Sequence, residues 1–181
     1  MSLTLVLGGA RSGKSRFAQK LAEEGGERVL FVATANPGDE EMRRRIELHR
    51  RSRPIHWRTL EAPIGVGAAI TRDIGDAQTV IVDCVTVLLS NLGGEGGVPA
   101  ENIEDQARVE VDDMVRTASC LSARFVVVSN EVGLGLVPPY PAGRAYRDIL
   151  GLANQWLAEE ADEVYLLVAG LPLRLKPCPW L

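Results

Sequence analysis

The sequence predicts an α/β fold in which a mostly parallel sheet carries helices on both faces. The first observation is a set of short apolar runs without alternating polar residues, which is typical of parallel strands buried on both faces. They are residues 4–7, 28–33, 79–83 and 124–130, with a shorter strand predicted at 57–60. The second observation is that segments with helical patterns separate these runs, as crossover helices do. They are residues 14–24, 39–51, 85–92, 100–121 and 144–161.

Two further apolar segments, residues 164–168 and 171–176, lie near the C-terminus on either side of Gly170. A glycine between two short strands is typical of a hairpin turn. We therefore expect the last strand to run antiparallel to its neighbour at the edge of the sheet.

Length and composition indicate an ordinary globular protein. The chain has 181 residues, 46% hydrophobic and 24% charged, which predicts one domain over residues 1–181. Its net charge of −4 argues against a nucleic-acid partner. The scattered cysteines Cys84, Cys120 and Cys178 argue against a disulfide framework or a zinc site. Because no apolar run reaches the roughly 18 residues of a membrane span, we expect a cytoplasmic protein without membrane insertion.

The most specific motif is a phosphate-binding loop. Gly8-Gly9-Ala10-Arg11-Ser12-Gly13-Lys14-Ser15 matches the pattern G-x-x-x-x-G-K-S/T. Its glycines allow backbone N–H groups to turn toward phosphate oxygens, at the positive end of the following helix. Lys14 supplies a charge at the β- and γ-phosphates, and the Ser15 hydroxyl is a ligand for Mg²⁺.

A chance match in a flexible glycine loop is the alternative explanation of this motif. The motif, however, lies between a predicted strand and a predicted helix, which is the context that a phosphate loop requires. We therefore predict a P-loop NTPase-like fold, and one P-loop domain that binds a nucleoside triphosphate together with Mg²⁺.

Asp83 ends the predicted strand at 79–83 and is the candidate partner acid of this loop. A carboxylate at such a strand end holds magnesium, directly or through water, in nucleotide-binding proteins. The alternative is that Asp83 caps the next helix. Asp83 is thus predicted to be a nucleotide-site and metal-site residue together with Ser15.

The predicted helix at 39–51 carries several arginines and one of the two histidines of the chain. Acid–arginine pairs four residues apart are typical of a solvated helix face, although one or two of these arginines have the length to reach phosphates. His49 lies at the edge of the apolar stripe formed by Met42 and Ile46. From spacing alone, His49 is either a core or rim residue or a catalyst.

Five segments together carry a resemblance that covers about residues 3–176. They are residues 7–18, 45–59, 83–92, 129–138 and 147–155. With them, the chain resembles the bifunctional adenosylcobinamide kinase/adenosylcobinamide-phosphate guanylyltransferase family of cobalamin biosynthesis. Two other functions stay open on the residues alone, namely a stand-alone P-loop kinase of a small metabolite and a non-enzymatic, nucleotide-gated regulatory subunit.

The resemblance implies two reactions and a homotrimer. First, the aminopropanol hydroxyl of adenosylcobinamide takes the γ-phosphate of ATP or GTP. Then GMP passes from GTP to a histidine, and adenosylcobinamide phosphate displaces it to give adenosylcobinamide-GDP. The family's nucleotidylated histidine matches His49, with His56 in reserve, and Lys14 is the second catalytic residue. Glu61, after the third strand, either accepts hydrogen bonds from guanine or faces solvent.

Overall fold

The structure is a computed structural model that describes residues 2–36, 38, 40, 43, 44, 47, 50, 53–93 and 102–177. Within these residues, seven strands form one sheet. They are β1 (Ser2–Gly8), β2 (Val29–Ala33), β3 (Arg58–Glu61), β4 (Thr79–Asp83), β5 (Arg124–Val128), β6 (Glu163–Val168) and β7 (Leu171–Lys176).

The strand order across the sheet is β3-β2-β4-β5-β1-β6-β7. The first six of these strands run parallel to their neighbours, and β7 pairs antiparallel with β6. The predicted mostly parallel sheet and its antiparallel C-terminal strand are therefore confirmed. The parallel strands all end at one edge of the sheet, which we call the carboxyl edge, and begin at the amino edge.

Helices cover both faces of the sheet, as predicted. In the part of the chain that the structure describes, they are α1 (Lys14–Glu24), α2 (Val66–Asp73), α3 (Val85–Leu92), α4 (Ile103–Cys120) and α5 (Pro141–Glu160). α1 packs on one face with Phe31, Ile81 and Val126 of the strands. α2 to α5 pack on the opposite face around Leu5, Val80 and Phe125. We call the first of these the α1 face.

The central strands are buried on both faces, which explains their apolar sequences. All five residues of β2 are buried, as are the first four of β4 and the last four of β5. Burying an aliphatic or aromatic side chain contributes about 1.5–3 kcal/mol relative to leaving it exposed. These strands hold the carboxyl edge rigid, so that the loops leaving it have fixed starting points.

The sequence patterns predict no element at residues 66–73, where the structure has α2. Valine, isoleucine, threonine and glycine within this helix have low helix propensity. Both ends of α2 are held from elsewhere in the chain. The Glu110 carboxylate of α4 accepts hydrogen bonds from the N–H groups of Gly65 and Val66 at 2.6 and 3.3 Å. At the other end, the Arg58 guanidinium donates to the carbonyls of Asp73 and Ile74.

Other differences concern boundaries. α5 begins at Pro141 rather than 144, because proline is tolerated in the first helical turn, where its missing N–H would have no partner. Of the predicted helix at 39–51, residues 40, 43, 44, 47 and 50 are helical and exposed. The rest of that segment lies outside the described residues, and so do residues 94–101 and Cys178. Among the described helices, none combines the length and apolar character needed to cross a membrane.

Candidate active site

The phosphate loop occupies the carboxyl edge between β1 and α1. β1 ends at Gly8 and α1 begins at Lys14, so the motif lies between a buried strand and a helix N-terminus, as its sequence predicted. Two backbone hydrogen bonds fasten the loop to its neighbours: Gly170 N–H donates to Ser12 carbonyl at 2.9 Å, and Glu131 N–H donates to Gly8 carbonyl at 2.9 Å. The N–H groups of the first turn of α1 have no partners within the helix and are available to an anion.

Lys14 is buried against this loop, with 8% of its surface exposed. Its Nζ donates a hydrogen bond to the Gly9 carbonyl at 2.7 Å. Burial lowers the pKa of Lys14, and electrostatic interaction with the ionisable groups of Cys84 and Asp83 opposes that shift. Nearby, the Ser12 hydroxyl oxygen is buried without a hydrogen-bond partner among the described residues. A phosphate group at a helix N-terminus provides a charge partner for a desolvated ammonium group and a hydrogen-bond partner for an unsatisfied hydroxyl.

Asp83 ends β4 at the same edge. In register it lies beside Ala33 of β2 and Val128 of β5, and it is half-buried. The N-cap residue of α3 is Cys84, and no hydrogen bond to another described residue uses the Asp83 carboxylate. The Asp83 side chain therefore does not cap α3. Its carboxylate interacts electrostatically with Lys14.

Ser15 and Asp83 fit a magnesium site only when a phosphorylated ligand supplies further oxygen ligands. Among the described residues, no group of three or more His, Cys, Asp or Glu side chains forms a metal cluster. Mg²⁺ in nucleotide sites typically takes one or two protein oxygens, with phosphate and water oxygens completing its shell. The Ser15 hydroxyl and the Asp83 carboxylate are donors of the right chemistry for that arrangement.

A polar network that the sequence did not indicate holds this edge together. The Thr34 hydroxyl, fully buried, donates to the Cys84 carbonyl at 2.8 Å and accepts from the Cys84 N–H at 2.9 Å. The Asn91 amide donates to the carbonyls of Thr34 and Pro63 at 2.8 and 2.9 Å. Thr34 has no recognisable sequence signal, whereas Asn91 belongs to a segment that carried the family resemblance. Together they fix the ends of β2 and β4 relative to α3.

A second network anchors α5 to the loop after β5. The Asn154 amide donates to the Asn130 carbonyl at 3.0 Å, and the Asn130 N–H donates to the Thr86 hydroxyl at 2.9 Å. The Tyr146 hydroxyl donates to the Thr86 carbonyl at 2.6 Å. This explains in structural terms why polar residues occur at 86, 130 and 154 in the segments that carried the resemblance.

Of the remaining predicted site residues, Glu61 and His56 lie at opposite edges of the sheet. Glu61 ends β3 at the carboxyl edge, in register with Ala33. His56 precedes β3 and is exposed at the amino edge, where it lines a pocket of about 350 Å³ with Arg28 and Asp76. The structure therefore brings Glu61, Asp83 and the phosphate loop to one edge and puts His56 at the other. His49 lies outside the described residues.

Comparison with known proteins identifies the family of this chain. The model of the family described as cobinamide kinase / cobinamide phosphate guanyltransferase matches residues 4–175. The chain belongs to this family. The match confirms the resemblance and the predicted class of enzyme, a kinase and nucleotidyltransferase of cobalamin biosynthesis.

Curated relatives match nearly from end to end. Bifunctional adenosylcobalamin biosynthesis protein CobP of Pseudomonas aeruginosa is 43% identical over 97% of this chain and 98% of its own length. The proteins named CobU of Escherichia coli and Salmonella typhimurium are 39% and 40% identical, each over 96% of this chain and 99% of their own length.

A solved structure of different function shares the fold. The crystal structure of the RadB recombinase superposes with a TM-score of 0.53, covering 91% of this chain and 73% of its own, at 14% identity. At that identity the likeness concerns the fold alone. It agrees with the predicted P-loop NTPase-like sheet.

Proposed function

We propose that this protein phosphorylates the aminopropanol hydroxyl of adenosylcobinamide with ATP or GTP, and then transfers GMP from GTP to the new phosphate. The product of the second reaction is adenosylcobinamide-GDP. Membership of the family supports both activities. The observation that carries the proposal is the folded phosphate loop at the carboxyl edge, with Lys14 buried against it and Asp83 within electrostatic range.

The kinase step depends on positioning and charge. Backbone N–H groups of residues 8–15 and the Lys14 ammonium group bind the β- and γ-phosphates and orient the γ-phosphorus toward the incoming hydroxyl. Ser15 and Asp83 would hold Mg²⁺, which supplies positive charge next to the phosphate oxygens. Because the transition state is loose, Lys14 contributes mainly by stabilising negative charge on the leaving oxygen.

For guanylyl transfer, we propose His49 as the nucleophile. A histidine with the ordinary pKa of about 6.5 is mostly neutral near pH 7 and is therefore nucleophilic. Its ring nitrogen forms a bond to the α-phosphorus of GTP while the bond to pyrophosphate breaks. A phosphate oxygen of adenosylcobinamide phosphate then attacks the same phosphorus, and the phosphorus–nitrogen bond breaks to regenerate the histidine.

The position of His56 supports His49 over the reserve candidate. His56 is exposed at the amino edge, whereas the phosphate loop lies at the carboxyl edge. A nucleophile must reach within about 3–3.5 Å of the phosphorus that it attacks. Glu61 is at the carboxyl edge, and we propose that its carboxylate accepts hydrogen bonds from the N1–H and amino group of guanine.

Labelling with α-³²P-GTP tests the proposal. Wild-type protein is expected to acquire a protein-bound label that is stable in alkali and labile in acid, as a phosphoramidate is. His49→Ala removes the label, and the matched variant His56→Ala retains it. Label that persists in His49→Ala refutes the assignment of the nucleophile. Failure of adenosylcobinamide to stimulate ADP or GDP formation by the wild type refutes the kinase step.

We also propose that the protein assembles as a homotrimer, following the family resemblance. The edge strand β7 presents Leu171, Leu173 and Leu175 to solvent, 72%, 56% and 44% exposed, which is an apolar surface suited to a neighbouring subunit. Light scattering is expected to give about three times the chain mass of 19.6 kDa. A monomer mass at micromolar concentration would contradict this.

A further inference from the structure

A groove runs along one side of α1, between this helix and the β6–β7 hairpin. Its volume is about 360 Å³, which is within the range of small-molecule sites. On the helix side it is lined by Phe17, Lys20 and Glu23, among others, and on the hairpin side by Gly170 and Pro172. We call it the α1 groove. None of the functions assigned above uses it.

The α1 groove begins at the phosphate loop. Gly13, the last loop residue before α1, belongs to its lining. The hairpin wall is fastened to the same loop, because the Gly170 N–H donates to the Ser12 carbonyl at 2.9 Å. A Cβ built on Gly13 would lie 3.2 Å from the Cα of Gly170, so loop and hairpin are in close contact. A ligand whose phosphates lie on the loop can therefore extend directly into the groove.

The α1 groove and Glu61 lie on opposite sides of the phosphate loop. In the sheet order, β6 and β7 are on one side of β1, and β5, β4, β2 and β3 are on the other. β6 is the direct neighbour of β1. β3, which ends at Glu61, is four strands away, or about 19 Å at the usual strand spacing. A nucleoside thus has two directions in which to leave the loop.

The chemistry of the α1 groove suits a purine nucleoside. Phe17 supplies an aromatic ring, which is held in place by edge contact with Tyr165 at 5.1 Å between ring centroids and 63° between ring planes. Aromatic rings bind nucleobases by stacking. The side chains of Arg16, Lys20 and Glu23 form no ion pair or hydrogen bond with another described residue. They are available to ribose hydroxyls and to the polar edge of a base.

The groove is on the face of β7 opposite to the leucines that we propose for subunit contact. Pro172 pairs with Leu167, which packs in the core of the α1 face. Leu173 pairs with Leu166, which packs against the core of the other face. Because successive side chains of a strand alternate between faces, Leu171 and Leu175 point the same way as Leu173. A subunit contact through these leucines does not cover the groove.

The two reactions attack different phosphorus atoms of a triphosphate. In the kinase step, the acceptor oxygen bonds to the γ-phosphorus while the bond to the β-phosphate oxygen breaks, and the two oxygens lie roughly in line. A nucleoside in the α1 groove places the leaving oxygen on the hairpin side and turns the γ-phosphorus toward Asp83. Guanine at Glu61 instead places the α-phosphorus on the Asp83 side, where guanylyl transfer needs it.

We propose that the α1 groove binds the base and ribose of the purine nucleoside triphosphate that donates the γ-phosphate in the kinase reaction. The phosphate loop then holds nucleotides in two opposite orientations, one for each reaction. Phe17 stacks on the base, and the polar side chains of α1 contact the ribose. This inference rests on the proposed function, because only an enzyme with both activities needs both orientations.

Photo-crosslinking with 2-azido-ATP and Mg²⁺ locates the base without any turnover. After irradiation and trypsin digestion, label is expected in the peptides 17–20 or 21–28 of α1, or in the peptide 148–174, which contains Gly170 and Pro172. Excess ATP should prevent this labelling. Label found only elsewhere, for example in the peptide 59–72 that contains Glu61, overturns the proposal.

Substitution of Phe17 tests the same site by kinetics. Phe17→Leu removes the aromatic ring and keeps an apolar side chain. It is expected to raise the KM for ATP in adenosylcobinamide phosphorylation about 10-fold, with kcat within about 3-fold of the wild type. Phe17→Tyr keeps the ring and should restore the wild-type KM. Tyr140→Leu, at an exposed tyrosine before α5, is the matched control and should leave that KM unchanged.

The formation of protein-bound GMP from GTP distinguishes the two orientations. Phe17→Leu should raise the KM for GTP in this reaction much less than the KM for ATP in the kinase reaction. Equal increases would overturn the separate orientations, and a lower melting temperature with unchanged KM for ATP would make Phe17 purely structural. If the wild type does not phosphorylate adenosylcobinamide, the proposed function fails, whereas the crosslinked peptides still decide whether the groove binds a nucleoside.

Discussion

Gly13 is the position at which the phosphate loop depends most directly on backbone conformation. Its φ and ψ are 97° and 8°, in the left-handed region, where it precedes the first residue of α1. A Cβ at this position would lie 3.2 Å from the Cα of Gly170, in the turn between β6 and β7. Gly13→Ala therefore strains the backbone and pushes the loop against the hairpin that fastens it.

The expected cost follows from these two effects. A left-handed conformation costs a residue with a Cβ about 1–2 kcal/mol, and with the close contact to Gly170 we expect about 2 kcal/mol in the free energy of unfolding. In a chain of this length, each kcal/mol lowers the melting temperature by about 2–4 °C, which predicts a decrease of about 4–8 °C. Calorimetric melting of the ligand-free protein measures it.

Gly9→Ala is the matched control, because Gly9 directly follows β1 in the same loop and the substitution adds the same methyl group. No atom lies within 4 Å of a Cβ built on Gly9, and its φ is outside the left-handed region. We expect its melting temperature to lie within about 1 °C of that of the wild type. If Gly13→Ala melts at the same temperature as Gly9→Ala, the reasoning from backbone strain is refuted.

Two further predictions concern the carboxyl edge. Burial raises the pKa of the Cys84 thiol from 9.0 to about 11, so at pH 8 its thiolate fraction is about 100-fold below that of an ordinary thiol. Iodoacetamide should therefore modify the exposed Cys120 faster than Cys84, and peptide mass spectrometry that found equal rates would contradict this. Asn91→Ala removes the donor to two backbone carbonyls and should cost about 1–3 kcal/mol in urea unfolding, whereas the exposed neighbour Ser90→Ala should cost less than about 0.5 kcal/mol. Equal costs for these two variants would show that the Asn91 hydrogen bonds do not stabilise the fold.

The phosphate loop and the central strands could be predicted because their physical requirements are local. A strand buried on both faces needs a continuous apolar run, and residues 79–83 and 124–128 meet that need in sequence alone. A phosphate loop needs glycines, a lysine and a hydroxyl at fixed spacing between a strand and a helix. The sequence therefore determined the fold class, the nucleotide motif and the edge at which Asp83 and Glu61 lie.

Tertiary structure decided what depends on residues far apart in the chain. α2 forms although several of its residues are poor helix formers, because Glu110 and Arg58 satisfy the backbone groups at its two ends. Thr34 joins the ends of β2 and β4 through Cys84, 50 positions along the chain. No local pattern encodes such contacts, since hydrogen-bond partners and stacked rings are chosen by the packing of the whole sheet. The sequence contains several arginines and two histidines, but it does not show where each of them lies. Only the folded chain shows that Arg53 stacks on Phe31, whereas His56 lies at the amino edge of the sheet.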